Sequence, residues 1–188
     1  ILLNEIGNPS AELTAYCKVV AGKGKTAIYY LTDNTEQERE AIFTFLDQYG
    51  MEYKQEELMG ILGRVYPDLF AYLQPYRFKN DLLDKYFQDY KYQKVINKIF
   101  PDFESVVLEQ AEKRDYNLIL EPRSSVIEKL NTKDSLLYFM DAMGVEFLGY
   151  IMSVCKEMNL RTKITVCRCE LPSITSRNKE FLELWDES

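Results

Sequence analysis

The sequence contains no histidine and no pair of cysteines in CxxC spacing. Its cysteines are Cys17, Cys155, Cys167 and Cys169, whereas a soft-metal site usually needs four Cys or His ligands. We therefore interpret Cys167 and Cys169 as two residues on one face of a strand rather than as metal ligands. Four cysteines in a chain of 188 residues do not indicate a disulfide scaffold, so a reducing cytoplasm is the expected location.

Long apolar runs, a signal-peptide pattern and an excess of basic residues are also lacking. The first two absences lead us to expect no membrane contact. The formal net charge of −7 argues against broad nonspecific binding to nucleic acid, which needs a basic face, so nucleic acid is expected only through a larger parent protein. With 46% hydrophobic and 28% charged residues, the composition is that of an ordinary globular protein.

A phosphate-binding P-loop is lacking as well, although the segment 22–26 (GKGKT) resembles the end of one. The leading glycine of GxxxxGK[ST] would fall at position 19, which is Val19. A P-loop also follows a strand and opens a helix, whereas the pattern here predicts a helix before and a strand after. We interpret this segment as a glycine-rich turn between helix and strand.

The remaining patterns predict an α/β protein, and residues 1–130 form its N-terminal region. A helix is expected from a cap at Ser10 to about Val20, followed by a buried strand over Thr26–Leu31. Thr35 and Glu38 have the spacing of a capping box, which predicts a helix closing at Gly50. A second short strand is expected at 51–53.

The middle of the chain, from about residue 56 to residue 113, has a helical pattern. Pro67 and Asn80 are suited to begin helices, and Pro101 separates the second of these from a third. Tyrosines and lysines alternate between Tyr66 and Lys94, a mixture that could stack on single-stranded nucleic acid. We favour the alternative, in which the tyrosines pack between helices and the lysines cover the outer face, because acidic residues lie among them.

We place a domain boundary at 131–134, so that residues 131–188 begin a second domain. The apolar run 136–140 predicts a central strand, and Leu148, Ile151, Met152 and Cys155 recur at helical spacing. A further strand is expected at 163–167. This order predicts a βαβ unit with parallel strands, which would complete a fold made of a small α/β unit, a helical middle and a parallel sheet.

Two polar segments follow the strands of this unit. Asp141 comes directly after the first strand, and the segment 171–178 (LPSITSRN) comes after the second. Ligands of parallel α/β sheets gather outside the carboxyl ends of the strands, so both segments are expected at one site. The structural alternatives are a turn-stabilising aspartate at Asp141 and a helix N-cap at Thr175.

The segments 141–144 (DAMG) and 171–176 (LPSITS) resemble the start of the PglZ domain of the alkaline phosphatase superfamily, which occurs in bacterial phage-defence systems of the BREX type. The resemblance implies a phosphatase-like α/β domain, in which Asp141 binds a divalent metal and Thr175 is the nucleophile. Ser173 and Ser176 are alternative hydroxyl groups, and Arg177 and Asn178 are candidate phosphate contacts. Zinc, manganese or magnesium would suit the aspartate and would activate the hydroxyl.

The resemblance leads us to expect the first part of a metal-dependent phosphohydrolase or phosphodiesterase, because the family's later aspartate and histidine ligands are missing. The chain begins at Ile1, which also leads us to expect a fragment, inactive in isolation and without bound metal. Its expected partners are other defence proteins, and a phosphate ester is the expected substrate of the parent. The alternative is a noncatalytic protein-binding or scaffold module. Self-association through an uncovered sheet edge is a further expectation.

Overall fold

Helices dominate the chain in a computed structural model, which describes residues 11–130, 133–136, 138, 140, 143–170, 173–174 and 177–178. Short 3-10 helices lie at Gly24–Tyr30, Gly50–Glu52 and Val145–Phe147. The α-helices of the described residues are α1 (Ala11–Ala21), α2 (Glu36–Tyr49), α3 (Gln55–Val65), α4 (Pro67–Leu73), α5 (Asp81–Val95), α6 (Pro101–Lys113), α7 (Tyr116–Ile119), α8 (Arg123–Ile127) and α9 (Leu148–Glu157).

The predicted α/β class, with its parallel sheet, is wrong. Within the described residues, the β-type pairing is an isolated parallel bridge between Pro122 and Arg168. The segment predicted as the first strand forms the 3-10 helix Gly24–Tyr30, in which Ala27 and Ile28 are buried. Leu31 is buried too, while the two tyrosines between Ile28 and Leu31 are exposed. Burial at i, i+1 and i+4 is a helical spacing rather than the alternation of a strand.

The other predicted strands are also corrected. The one at 51–53 is largely replaced by the 3-10 helix Gly50–Glu52, and the segment 163–167 is irregular and carries no strand ladder. Of the run 136–140, Leu136, Tyr138 and Met140 are described; they lie outside any helix or strand and are exposed. A central strand would bury them, so the predicted βαβ unit is wrong, although its helix exists as α9.

The predicted caps of α2 and α5 are confirmed. The Thr35 hydroxyl oxygen accepts a hydrogen bond from the Glu38 backbone N–H at 3.3 Å, and this hydroxyl donates to Glu38 Oε2 at 2.9 Å. Glu38 Oε1 also accepts from the backbone N–H and the hydroxyl of Thr32, at 3.1 Å each. At α5, Asn80 Oδ1 accepts from the Leu83 N–H at 3.1 Å. These side chains satisfy backbone donors that a helix start leaves unpaired.

One hydrophobic core joins helices α1 to α5. Every apolar side chain that is buried in the described residues lies between Val20 and Ile96. Ile28, Ile42, Leu46, Leu58, Leu62 and Ile96 form its fully buried centre. The apolar face of each of these helices is therefore covered by the others, which is the main source of helix stability in proteins.

Helix α9 packs back onto α4. The contact is close at Gly149, where an added Cβ would lie 2.5 Å from the Gln74 carbonyl oxygen and 2.9 Å from that of Ala71. The rings of Tyr72 and Phe147 extend the contact, with 5.3 Å between their centroids. None of the helices described here has the length and the apolar character needed to cross a membrane.

Candidate ligand-binding cavity

A cavity of about 900 Å³ lies against α5 and α6, and we call it the α5–α6 cavity. Its size is within the range of roughly 300–1,000 Å³ that is typical of small-molecule sites. Its lining is mainly apolar and aromatic, which is also typical of such sites. The residues that α5, α6 and Phe78 contribute to it are Phe78, Leu82, Leu83, Tyr86, Phe87, Val107, Gln110 and Ala111.

The first wall of the cavity is aromatic, and helix geometry explains why. Leu82 and Leu83 lie one turn before Tyr86 and Phe87, so these four residues form a continuous surface along α5. Phe78, just before the helix, packs against Phe87 with 5.2 Å between the ring centroids. Its backbone N–H donates to Asp84 Oδ1 at 2.6 Å, which holds the chain against the first turn of α5.

The second wall is α6, which contacts α5 through Phe103. Its ring lies 5.2 Å from that of Tyr86, centroid to centroid. Further along α6, Gln110 Nε2 donates to Asp115 Oδ2 at 2.9 Å. Because a carboxylate only accepts hydrogen bonds, this contact fixes which end of the amide is nitrogen. Gln110 Oε1 is buried and has no hydrogen-bond partner among the residues that the structure describes.

A third wall joins residues that are far apart in the sequence. The Arg123 N–H donates to the Arg168 carbonyl at 2.9 Å, and the Arg168 N–H donates to the Glu121 carbonyl at 2.9 Å. The Arg168 guanidinium donates to the carbonyls of Asn117 and Leu120, the latter at 2.7 Å. Arg168 therefore ties the α7–α8 region to the segment 166–169, which also lines the cavity.

Both segments that the sequence singled out contribute to the rim of this cavity. Met140, Met143 and Gly144 line it from the first segment, and Ser173 and Asn178 line it from the second. Asp141, Thr175 and Ser176 lie outside the described residues. Residues that flank Asp141 and Thr175 therefore line the same cavity without the predicted sheet, and a shared site of Asp141 and Thr175 stays a prediction.

The two candidate phosphate contacts, Asn178 and Arg177, lie in different surroundings. Asn178 is buried, and its Nδ2 donates to the carbonyls of Glu170 at 3.0 Å and Ile174 at 3.1 Å. Its Oδ1 accepts from the Glu170 N–H at 2.8 Å. This side chain therefore joins Asn178 to the backbone of Glu170 and Ile174. Arg177 is exposed, and its backbone N–H donates to the Ile174 carbonyl.

A second buried polar cluster lies beside the C-terminus of α4. Lys91 Nζ donates to the carbonyls of Tyr72 at 3.0 Å and Gln74 at 2.6 Å, groups that a helix end leaves unpaired. Burial lowers the pKa of Lys91 to about 8, and the nearby charge of Glu146 opposes that shift. Burial, followed by the charge of Glu146, raises the pKa of Tyr72 to about 12. Within the described part of the chain, the buried Tyr72 hydroxyl has no hydrogen-bond partner.

This cluster belongs to the region in which tyrosines and lysines alternate, and it can be compared with the packing interpretation of that region. Tyr66, Tyr72 and Tyr92 are partly buried against the core, as the favoured packing interpretation predicts. Lys91 differs from the prediction, because it is buried rather than on the outer face. Its length allows the ammonium group to reach the end of a neighbouring helix, which spacing along the sequence does not reveal.

The described residues contain no group of three or more Cys, Asp or Glu side chains that could hold a metal ion. Sequence reasoning missed the cavity and Gln110. The recurrence of Leu83 and Phe87 at helical spacing indicates a helix with an apolar face, but it does not show that this face lines a cavity. No local pattern marks Gln110, because its side-chain amide is held by Asp115, which lies beyond the end of α6.

A family model described as a domain of unknown function, DUF7863, matches residues 1–49. No curated protein matches the chain, and no solved structure matches it. No PglZ or phosphatase family matches, and the described residues are helical where a phosphatase-like domain would have a sheet. The resemblance to PglZ and the alkaline phosphatase superfamily is therefore wrong, and the roles it gave to Asp141 and Thr175 lose their support.

Proposed function

We propose that this chain is a noncatalytic binding module that holds a small, mainly apolar molecule in the α5–α6 cavity. The observation that carries the proposal is the cavity itself, with about 900 Å³ between an aromatic wall and an aliphatic one. Removing apolar ligand surface from water in such a site supplies most of the binding free energy, at roughly 25 cal/mol per Å².

Three polar side chains around the cavity are engaged within the protein, which favours binding over chemistry at these positions. The Arg168 guanidinium holds two backbone carbonyls, and the Asn178 amide binds the backbone of Glu170. The amide nitrogen of Gln110 is bound to Asp115. These groups shape the walls and leave the apolar surface as the main contact for a ligand.

The test uses N-phenyl-1-naphthylamine, a neutral apolar fluorophore that brightens when it leaves water. Ala111 lines the cavity, so Ala111→Trp places a large ring in it and should weaken binding at least tenfold. Ser105→Trp is the matched control, because Ser105 is exposed on α6 and does not line the cavity. The control should bind the dye within about twofold of the wild type.

Circular dichroism would first establish that both variants keep the helical fold. Saturable binding that is lost in Ala111→Trp and kept in Ser105→Trp supports the proposal. The proposal is overturned if the wild type shows no saturable binding, or if the two variants bind equally well.

The alternative of a protein-binding or scaffold module stays a proposal with its own supporting observation. Leu118, Leu136 and Tyr138 are 91%, 84% and 80% exposed, which leaves their apolar side chains accessible to a protein partner. The phosphohydrolase function depended on the family resemblance corrected above, and we do not propose it.

A further inference from the structure

We infer that the molecule held in the α5–α6 cavity carries a carboxylate beside its apolar body, and that this carboxylate pairs with Nε and Nη2 of the Arg168 guanidinium. This inference rests on the proposed function and adds to it the chemical class of the ligand. It depends on the hydrogen bonds of Arg168, on the charges that line the cavity and on the aromatic surface of α5.

Arg168 lines the cavity and uses part of its guanidinium within the protein. Nη1 donates to the carbonyls of Asn117 and Leu120. Nε and Nη2 make no hydrogen bond among the residues that the structure describes, and the ion pairs of those residues do not include Arg168. Both nitrogens keep accessible surface, because the buried side-chain N and O atoms without a partner in this part of the chain are Tyr72 Oη and Gln110 Oε1.

The geometry of a guanidinium explains why these two nitrogens favour a carboxylate. The N–H groups of Nε and Nη2 lie along one edge, and the two oxygens of a carboxylate match them in a bidentate pair. A cation at the wall of an apolar cavity also loses part of its hydration, which is costly unless an ionic partner replaces it. A ligand carboxylate supplies that partner.

The charges around the cavity favour an anion at this wall. The charged side chains that line it, within the described residues, are Arg123, Arg168 and Glu146. The two arginines belong to one wall, because the Arg123 N–H donates to the Arg168 carbonyl. Glu146 is close enough to Lys91 and Tyr72 to affect the pKa of each, so its carboxylate belongs to the cluster beside α4.

The aromatic surface of α5 suits the apolar body of the same molecule. Phe78, Phe87 and Tyr86 line the cavity, and each ring contacts the next at a centroid separation of 5.2–5.4 Å. Aromatic rings prefer offset-stacked or edge-to-face neighbours at such separations, so an aromatic ligand can extend this row of rings. The cavity thus offers an apolar surface and a cation to one amphipathic ligand.

1-Naphthaleneacetate and 1-naphthaleneacetamide provide a matched pair of probes, because they have nearly the same shape and only the first is an anion at pH 7.5. Each would displace N-phenyl-1-naphthylamine in competition titrations. In the wild type, we expect the carboxylate to bind about tenfold more tightly than the amide, an effect in the range of a hydrogen bond to a charged group. Added salt should reduce this preference, because it screens an accessible ionic contact.

Arg168→Gln tests whether Arg168 causes the preference. The two probes should bind this variant within about twofold of each other. Arg161→Gln is the matched control, because it changes the net charge equally, while Arg161 is exposed and does not line the cavity. The control should keep the wild-type preference. Affinity for the neutral dye and for the neutral amide shows whether the cavity survives in each variant.

A direct measurement on the wild type covers the case in which Arg168→Gln loses the cavity, since Nη1 also holds two carbonyls. Nuclear magnetic resonance of the protein labelled with nitrogen-15 arginine resolves the Nε–H signals. The signal that is missing from Arg168→Lys belongs to Arg168. Saturating 1-naphthaleneacetate should shift this signal clearly more than 1-naphthaleneacetamide does.

Equal binding of the two probes to the wild type overturns this inference and leaves the proposed function standing. A preference for the carboxylate that persists in Arg168→Gln also overturns it, as does an Arg168 Nε–H signal that responds equally to both probes. If neither probe nor the dye binds the wild type, the proposed function itself fails.

Discussion

Lys91 shows at the scale of one residue how burial and helix capping compete. Its ammonium group is nearly inaccessible to solvent and donates to two carbonyls near the C-terminus of α4. Burial penalises the charged form, whereas the nearby charge of Glu146 favours it, and the result is a pKa of about 8. The side chain therefore titrates in a pH range where an exposed lysine stays fully charged.

The lowered pKa of Lys91 predicts a specific pH dependence of stability. Between pH 8 and about 10.4 the unfolded chain binds more protons at this residue than the folded chain, so the free energy of unfolding should rise with pH. The rise should be of order 1–3 kcal/mol in full. Denaturant unfolding at pH 7.5, 8.5 and 9.5 would measure it in the wild type and in Lys91→Met.

Subtracting the pH profile of Lys91→Met from that of the wild type isolates the contribution of Lys91 from those of other groups that titrate in this pH range. Burial also raises the pKa of Cys17 and of several tyrosines, which lowers stability as the pH rises through their ordinary ranges. Those contributions are shared by both proteins and cancel in the comparison. A wild type and a variant with parallel pH profiles would show that Lys91 keeps an ordinary pKa.

At the scale of elements, α9 depends on a glycine to reach α4. Gly149→Ala would place a Cβ 2.5 Å from the Gln74 carbonyl oxygen, closer than two such atoms can lie, so α9 must move away. We expect a loss of about 1–3 kcal/mol in the free energy of unfolding. Chemical denaturation and the near-ultraviolet signal of the Tyr72–Phe147 contact would measure it.

Gly60→Ala is the matched control for this change. Gly60 also lies inside a helix, α3, but an added Cβ there meets no atom within 4 Å. Replacing a helical glycine by alanine where there is room typically stabilises by about 0.5–1 kcal/mol. Opposite signs for the two variants would confirm the close approach at Gly149, and equal gains would contradict it.

Elements with local start signals could be predicted from the sequence, and the others could not. The cap residues Thr35 and Asn80 contact groups three residues away, so α2 and α5 begin where the sequence indicates. Thr26–Leu31 has a strand-like composition, but its conformation depends on distant helices that bury Ala27 and Ile28. Strand formation needs a neighbouring strand, and composition does not show whether one exists.

The cavity was hidden from the sequence for a similar reason. The apolar spacing of Leu83 and Phe87 indicates a buried face, but it does not distinguish a face covered by a helix from one that lines a cavity. That distinction depends on residues far along the chain, such as Met143 and Cys169, and the pairing of Arg168 with the α7–α8 region holds the segment 166–169 at the cavity. The predicted sheet and the family resemblance were wrong, although residues of both polar segments line this cavity.

At the scale of the whole molecule, burial is uneven along the chain. The core lies between Val20 and Ile96, whereas α6 contains no buried residue. Helices α2 and α6 are nearly equal in length, with 14 and 13 residues, so length alone would give them similar stability. A difference in stability between α2 and α6 would therefore come from tertiary packing.

This contrast predicts the order of amide hydrogen exchange under native conditions. Amides of α2 around Ile42 and Leu46 should open only with global unfolding, because their side chains are fully buried. Amides in the middle of α6 should exchange at least 100-fold faster, through local opening. Exchange monitored by mass spectrometry would measure both, and saturating N-phenyl-1-naphthylamine should slow α6 selectively, since Val107 and Ala111 line the cavity. Equal protection of α2 and α6 would instead show that the chain unfolds as one unit and that packing around α6 is more extensive than its burial indicates.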